Sequence, residues 1–322
     1  MKRRVFIALV AGAALSSRAQ AQQPAMPVIG FLYLGPEGSL PKISEAFRSG
    51  LVALGYREGE NIRVLYRIAD GRADRLSSLA IELVSVGAKI IVTSSATAIR
   101  AVHAAVPNIP IVSWASGDPV AMGWAQTLAR PGGVITGLFI VTTLVKPFEL
   151  LKELRPNATT FGYLMNATNP SNPYFKRVAV DAAQALGVKL EVIEVTAQSE
   201  LADAFSRMGS AGIGGVYINP DPVLGSQRVA IAELARLHKL PSGGDDHNLV
   251  DAGGLFALST NYPAMAKRAA WFVDQILKGT APGELAAEQP TEYKLIINLK
   301  TAKELGITIP DTILARADEV ID

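Results

Sequence analysis

Residues 28–55, VIGFLYLGPEGSLPKISEAFRSGLVALG, join a short apolar segment to an amphipathic one. Val28–Leu34 is rich in β-branched and aromatic residues, which favours a buried β-strand. Leu40–Leu54 instead places its apolar residues three or four positions apart, which predicts a helix, and Gly55 is a typical helix terminator. These residues therefore predict a strand followed by a helix, the repeating unit of an α/β protein.

The same alternation continues along the chain. Further strands are predicted at residues 61–68, 90–93, 109–114, 160–165, 190–195, 215–219, 255–259 and 293–298. Further helices are predicted at residues 76–86, 97–106, 148–154, 174–186, 201–208, 229–238 and 264–277. Strands that alternate with helices form parallel sheets covered by helices on both faces.

The pattern restarts after residue 142, which predicts two doubly wound parallel-sheet lobes instead of one sheet. The chain length also fits two domains of roughly 100–200 residues each. We predict that residues 27–141 plus 260–280 form one lobe and residues 142–259 plus 286–322 the other, with the assignment of the C-terminal tail left open. Such lobes require a multi-crossing hinge, which we place near Phe139–Thr142, Ser259–Pro263 and Thr280–Glu292.

Residues 1–21 have the pattern of a secretory signal peptide. Basic residues at positions 2–4 precede an apolar run from Val5 to Leu15, and Ala19-Gln20-Ala21 matches the small-x-small cleavage pattern. Arg3-Arg4 leaves both the general secretory route and the twin-arginine route open. The signal peptide predicts export to a bacterial periplasm. The mature protein should be soluble, because no later apolar run approaches the roughly 20 residues that a membrane span needs.

Composition narrows the possible partners. The chain has no cysteine, so we expect neither disulfides nor the acylated cysteine that anchors a lipoprotein. Without the signal peptide, the 31 basic residues fall to 27 against 29 acidic ones, a formal net charge of −2. No basic tract remains to bind nucleic acid. We therefore predict a soluble monomer that binds a small molecule.

Motifs of catalysis and of metal binding are missing from the sequence. His103, His238 and His247 do not have the spacing of a metal site. Neither a nucleophile elbow nor a phosphate-binding loop occurs. The glycines at positions 209–215 follow a predicted helix and precede a predicted strand, which is the reverse of a dinucleotide-binding turn. We predict no enzyme activity, no cofactor and no metal.

Hydroxyl side chains follow two predicted strands of the first lobe. Ligands of parallel sheets bind beyond the carboxyl ends of the strands, where helix N-termini present unpaired N–H groups. Ser94, Ser95 and Thr97 lie in such a turn and suit a carboxylate or another small anion. Ser116 follows the next strand. Each hydroxyl could instead cap a helix, and both roles stay open.

Amide and acidic side chains follow the strands of the second lobe. An acidic pair at a strand end could hold a ligand ammonium, whereas the alternative is a solvated, Asx-rich loop or a helix cap. The candidates are Asn166, Ser171, Asn172, Asp221, Asp245 and Asp246. Nearby aromatic residues could form a stacking wall or belong to the core; they are Tyr33, Trp114, Tyr174 and Tyr217.

Three groups of short sequence motifs carry a family resemblance. They are FRSGL (47–51) with LGY (54–56); GDPV (117–120) with LARPGG (128–133) and TG (136–137); and EQPT (288–291) with INLKTAK (297–303), LG (305–306) and IP (309–310). With these segments the chain resembles the substrate-binding proteins of ABC transporters that have the type I periplasmic-binding-protein fold, in the branch that includes tryptophan and tyrosine binders.

The resemblance implies two lobes that close on a small molecule and present it to an ABC permease in the inner membrane. It also implies ligand contacts from Ser94, Ser95, Thr97, Asn172, Asp221 and Asp246. The predicted function is thus the solute-binding component of an ABC importer, which captures a small polar organic solute such as an amino acid or a related compound.

Two other functions stay open. One is a periplasmic sensor subunit that binds the same solute and docks on a membrane receptor. The other is an exported α/β enzyme that uses Asp118 or Asp246 as a general base, which turnover of a bound compound would reveal.

Overall fold

The computed structural model describes residues 26–141, 144–290 and 293–322. The predicted signal peptide and three residues of the predicted hinge crossings, Thr142, Thr291 and Glu292, lie outside the described residues. None of the helices in the described ranges is both long and apolar enough to cross a membrane.

Twelve strands and twelve helices occur among the described residues. The strands are β1 (Val28–Tyr33), β2 (Arg63–Ile68), β3 (Ala88–Ser94), β4 (Ile111–Ala115), β5 (Ile135–Gly137), β6 (Thr160–Asn166), β7 (Lys189–Val195), β8 (Val216–Ile218), β9 (Ser242–Gly244), β10 (Phe256–Thr260), β11 (Tyr293–Asn298) and β12 (Glu319–Ile321). The helices are α1 (Leu40–Ala53), α2 (Leu76–Ser85), α3 (Ala96–Ala105), α4 (Val145–Leu154), α5 (Asn172–Ala185), α6 (Leu201–Ser210), α7 (Pro222–Ser226), α8 (Arg228–Leu237), α9 (His247–Asp251), α10 (Tyr262–Leu277), α11 (Leu299–Leu305) and α12 (Asp311–Leu314).

Lobe 1 is built on a five-stranded sheet in which every strand is parallel to its neighbours. The strand order is β2-β1-β3-β4-β5. Apolar side chains of α1 and α10 cover one face of this sheet, around Phe31, Phe47 and Phe272. Those of α2 and α3 cover the other face, around Leu83 and Ile99. The sheet is therefore covered on both sides, as its apolar strands require.

Lobe 2 is built on a seven-stranded sheet with the order β12-β11-β10-β9-β8-β6-β7. The predicted two-lobed α/β fold is confirmed, with one addition that the sequence pattern did not predict: β11 runs antiparallel to β10. The chain leaves this sheet after β10, forms α10 on lobe 1, and returns from the side on which it left. The returning strand must therefore run in the opposite direction to β10.

The chain passes between the lobes where polar strand ends meet. β10 ends at Thr260 and α10 begins at Tyr262, so one crossing lies within the predicted Ser259–Pro263 segment. Beside it, Leu138 and Glu288 form a parallel bridge, and the Phe139 N–H donates to the Glu288 carbonyl (2.8 Å). The predicted limits of the two lobes stay a prediction.

Seven short elements have no counterpart among the predicted elements. They are β5, β9, β12, α7, α9, α11 and α12, of three to seven residues each. Helical or strand periodicity needs a longer window to be visible, so elements of this length give no pattern signal. Two of them, α7 and α9, are nevertheless capped at their N-termini by predicted site residues, Asp221 and Asp246.

Candidate functional site

A cavity of about 500 Å³ lies between the lobes. It is bounded by the carboxyl ends of parallel strands of both sheets, the position at which α/β proteins bind ligands. β3 and β4 contribute Ser94 and Trp114 from lobe 1, whereas Asp221 and Asp245 follow β8 and β9 in lobe 2. The volume is that of a small-molecule site.

The N-terminus of α3 opens onto the cavity from lobe 1. Ser95 has φ 67° and ψ 149°, a conformation that non-glycine residues seldom adopt, and its Oγ accepts from the Ala98 N–H (3.3 Å). The cap thus uses one of the first-turn amides and leaves those of Ala96 and Thr97, which have no acceptor inside the helix. Since strained backbone concentrates at binding sites, the turn at Ser95 points to anion binding.

Two buried polar atoms of the cavity lining lack hydrogen-bond partners in the described part of the chain. They are the indole Nε1 of Trp114 and the Oγ of Ser116. The two residues are only 4% and 5% exposed, and both line the cavity. An unpaired buried donor costs about 1–3 kcal/mol. A polar ligand that pairs with these groups would recover that free energy.

Aromatic rings form the wall of the cavity on the lobe 1 side. The rings of Tyr33 and Trp114 stack at a centroid distance of 6.2 Å, and Tyr262 packs edge-on against Trp114 at 6.1 Å. Burial, reinforced by the charge of Asp246, raises the pKa of Tyr33 to about 12. Tyr33 therefore stays a neutral phenol, and the wall presents apolar faces with a few polar edges.

Asp221 organises the lobe 2 side of the cavity. Its carboxylate accepts from the Val223 and Leu224 N–H groups at the start of α7 and from the side-chain amides of Asn166 and Asn169 (2.8–3.2 Å). Burial raises the pKa of Asp221, although these four donors oppose the shift. Because these donors fill its hydrogen-bonding capacity, Asp221 holds the loop that carries Asn166 and Asn169 against α7.

Asp245 and Asp246 extend the acidic surface toward lobe 1. Asp246 caps α9 by accepting from the Asn248 N–H (3.0 Å) and Nδ2 (2.7 Å). Asp245 is half-buried, with part of its surface on the cavity, and accepts a hydrogen bond from the Tyr262 hydroxyl. Desolvation by the surrounding protein is the main cause that raises the pKa of Asp245 to about 7, against the lowering effect of the Tyr262 hydrogen bond.

Contacts across the cleft show that the lobes are closed on each other. Tyr262 begins α10 of lobe 1, so its hydrogen bond to Asp245 joins the two lobes. The Oγ of Ser171 in lobe 2 donates to the sulfur of Met122 in lobe 1 (3.4 Å). A Cβ placed on Gly71 of lobe 1 would lie 2.8 Å from the Oγ of Ser226 in lobe 2. These contacts hold the two lobes against each other beside the cavity.

The structure brings most of the predicted site residues to this cavity. Those on its surface are Ser94, Ser95, Ser116, Ser171, Asp221, Asp245 and Asp246. Three others, Thr97, Asn166 and Asn172, lie behind that surface and are buried. Asn166 supports Asp221, and Asn172 Nδ2 donates to the Asn166 carbonyl (2.9 Å). Their predicted ligand contacts, like those of the first group, stay a prediction.

Of the four aromatic residues considered, Tyr33 and Trp114 line the cavity. Tyr217 belongs to the core of lobe 2, where it stacks on Tyr163 at 6.2 Å, and Tyr174 packs against Phe175 outside the cavity lining. Tyr262 was not predicted. Its place at a predicted crossing between the lobes was the available signal, since the chain crossings lie beside the cleft.

The geometry defines a class of protein: two α/β lobes, joined by several chain crossings, that enclose a polar cavity suited to a small solute. The chain belongs to the ABC transporter substrate binding protein family, whose model matches residues 35–321. The resemblance carried by the three sequence segments is thereby confirmed.

Two similar proteins carry ligand information in their names. A tyrosine-binding protein from Clostridioides difficile is 27% identical over 283 residues, which are 87% of this chain and 81% of that protein. An ABC domain from Streptococcus pneumonia, solved in complex with L-Trp, is 25% identical, with a TM-score of 0.85 over 92% of this chain and 99% of its own.

A third similar structure is named as an open form. The ligand-free, open structure of a substrate-binding protein with adhesive properties from Clostridium difficile is also 25% identical and covers the same shares of the two chains, but its TM-score is 0.65.

Proposed function

We propose that this protein captures an amino acid with an aromatic side chain between its lobes and delivers it to an ABC permease. The proposal rests on one observation: the cavity has hydrogen-bond donors on its lobe 1 side and carboxylates on its lobe 2 side. Lobe 1 offers a helix N-terminus with the unpartnered donors of Trp114 and Ser116, and lobe 2 offers the carboxylates of Asp245 and Asp246. An amino acid carries a carboxylate and an ammonium that match these two ends.

The ligand carboxylate is placed at the first turn of α3. The helix dipole, the amides of Ala96 and Thr97 and the hydroxyl of Ser116 together favour a negative charge there. Ser94 and Ser95 supply further hydroxyls on the same surface. The strained backbone of Ser95 is then part of a preformed anion site.

The ligand ammonium is placed at Asp245. Asp246 adds negative potential beside it, while the Asp221 carboxylate already accepts hydrogen bonds from four donors of the protein. No ion pair within the described residues includes Asp245, so a ligand ammonium would be its counter-ion. This contact and that of the carboxylate lie in opposite lobes, which makes the bound ligand a bridge that stabilises the closed form.

The aromatic side chain of the ligand is placed against the wall of Tyr33, Trp114 and Tyr262. Ring pairs of this kind contribute about 0.5–1.5 kcal/mol beyond the burial of their surface. The names of the tyrosine-binding relative and of the L-Trp complex support the same ligand class.

The pattern of residues 1–21 supports a location in the periplasm, where the protein would act as a monomer that docks on an inner-membrane permease. A membrane sensor as the docking partner is the alternative, and the same cavity would serve it. Binding in either role requires no reaction of the ligand, so we propose a carrier and not an enzyme.

Isothermal titration calorimetry with a panel of amino acids tests the ligand class. We expect tyrosine, tryptophan or phenylalanine to bind with micromolar or tighter affinity, and alanine to bind at least tenfold more weakly because it lacks the ring. Small-angle scattering should show a compaction of the protein with the same ligands only. If no amino acid releases heat or raises the melting temperature, the proposed ligand class is wrong.

The substitution Gly71→Leu tests closure of the lobes and leaves the proposed carboxylate and ammonium sites unchanged. The new side chain must extend from Gly71 toward Ser226 of the opposite lobe, so we expect Gly71→Leu to weaken amino-acid binding at least tenfold. The matched control is Gly59→Leu, since Gly59 has a similar positive φ (86° against 76°) but a Cβ placed on it would have no neighbour within 4 Å. Equal affinities of the two variants would show that this rim does not close.

A further inference from the structure

Asp245 occupies an unusual position for an acidic side chain. It faces an inter-lobe cavity, and its hydrogen-bond donor, the Tyr262 hydroxyl, belongs to the opposite lobe. The carboxylates of Asp246 and Asp221 are its acidic neighbours. Burial and these two carboxylates therefore oppose a negative charge on Asp245 once the lobes have closed, whereas the Tyr262 hydrogen bond favours it.

Other titratable side chains around Asp245 do not supply the missing positive charge. The phenols of Tyr163 in β6, Tyr217 in β8 and Tyr293 in β11 face it from the sheet of lobe 2. Four basic side chains line the same cavity, namely Lys42, Arg228, Lys294 and His247. Among the described residues, however, none of these four forms an ion pair with Asp245; His247 pairs instead with Asp251 (3.2 Å) and Glu319 (3.6 Å).

We propose that Asp245 accepts either the ligand's ammonium or a proton from solvent when the cavity closes, so that the preference for amines over their deaminated analogues depends on pH. This inference rests on the proposed function, because it assumes that the ligand is an amino acid. With an amino acid bound, the ammonium balances the carboxylate and Asp245 stays ionised. With a deaminated analogue bound, Asp245 takes up one proton and becomes a neutral hydrogen-bonding group.

The sign of the pH dependence follows from comparing the two closed complexes. Without an amine in the cavity the pKa of Asp245 is raised to about 7, so below that pH the analogue complex is stabilised by proton uptake. In the amino-acid complex the ammonium lowers the pKa of Asp245, and no proton is taken up. The ratio of the two affinities therefore falls by about tenfold per pH unit below pH 7.

The ratio of the two affinities does not depend on the state of the free protein. Both dissociation constants refer to the same unliganded state, whether it is open or closed, so their ratio reports only the two complexes. It also cancels groups that act equally on both ligands, such as the carboxylate site at α3, because the paired ligands share their ring and their carboxylate.

The test uses two matched ligand pairs, tyrosine with 3-(4-hydroxyphenyl)propanoate and tryptophan with 3-(indol-3-yl)propanoate. Calorimetry between about pH 8 and pH 5.5 should show the preference for the amino acid falling roughly 30-fold in total, the change that a single proton with a pKa near 7 produces. Titrations in two buffers of different ionisation enthalpy should show that the analogue complex holds close to one proton more than the amino-acid complex at the acidic end.

Three variants separate Asp245 from its neighbours. Asp245→Asn cannot exchange a proton, so its ligand preference should be independent of pH. Asp246→Asn keeps a good helix cap and should keep the one-proton difference, with its midpoint moved to lower pH because a like charge is gone. Tyr262→Phe removes a hydrogen bond to the carboxylate and should move the midpoint to higher pH.

The outcomes distinguish this inference from the function on which it rests. Failure of every amino acid to bind overturns the proposed function. Amino-acid binding with a preference that stays constant from pH 8 to pH 5.5, or with an analogue that fails to bind even at the acidic end, overturns the proton exchange alone. A pH dependence that persists unchanged in Asp245→Asn also overturns it, since another group must then be responsible.

Discussion

Replacement of Asp245 by alanine is expected to weaken amino-acid binding at least a hundredfold, about 3 kcal/mol, when measured by calorimetry at about pH 8. At that pH the wild-type side chain is ionised and pairs with the ligand ammonium. The variant leaves the ammonium inside the closed cavity without its partner, and loss of one member of such a pair typically costs about 2–5 kcal/mol. The loss should appear as faster dissociation.

The control for this variant is Asp181→Ala, which removes the same charge from an exposed position on α5 outside the cavity lining. Its affinity should stay within twofold of the wild type. If Asp245→Ala binds amino acids as tightly as the control does, Asp245 does not contact the ligand, and the ammonium must lie elsewhere. Melting temperatures of both variants check that the fold is retained.

Replacement of Gly50 by alanine is expected to lower the free energy of unfolding by about 2 kcal/mol. Gly50 lies in α1 where this helix crosses α10, and a Cβ there would lie 2.3 Å from the Lys267 carbonyl oxygen and 2.8 Å from the Ala270 Cβ. Alanine in a helix gains about 1 kcal/mol over glycine. The backbone of α10 cannot move aside as a flexible side chain can. The free energy lost when the two helices are forced apart therefore exceeds the gain from alanine.

Urea unfolding followed by circular dichroism measures this change. Gly209→Ala in α6 is the matched control, since the atoms of His238 nearest to its new Cβ are 3.2–3.3 Å away and need to shift by only a few tenths of an ångström. We expect the control to be neutral or slightly stabilised. A Gly50→Ala protein as stable as the control would mean that α1 and α10 pack less closely than the structure indicates.

Local pattern was sufficient to predict the long elements of both lobes. β1 and α1 end within one residue of the prediction, because a buried strand and an amphipathic helix each have their own periodicity. The antiparallel direction of β11 could not be predicted from local residue patterns. A strand's own residues do not encode the side from which the chain enters the sheet, and here that side depends on the excursion through α10.

The candidate site also has residues that the sequence predicted and roles that only the structure revealed. Ser95 could be selected from sequence because it follows a predicted strand and precedes a predicted helix, which is a local property. Asp246 was selected only as one of an acidic pair, since neither β9 nor α9 was predicted. Asp245 and Asp246 are neighbours and look equivalent in sequence. In the structure Asp246 caps α9, whereas Asp245 turns to the tyrosine at the start of α10 and becomes the stronger candidate for the ligand ammonium.

Short-range information in the chain was thus enough for the α/β class, the two lobes, the family and the turns that surround the cavity, since each depends on periodicity or on motifs within a few residues. Tertiary structure was needed to bring Tyr262 to Asp245, to leave Trp114 and Ser116 without partners, and to raise the pKa of Asp245. These properties arise from desolvation and from contacts between residues far apart in the chain, which no local pattern contains.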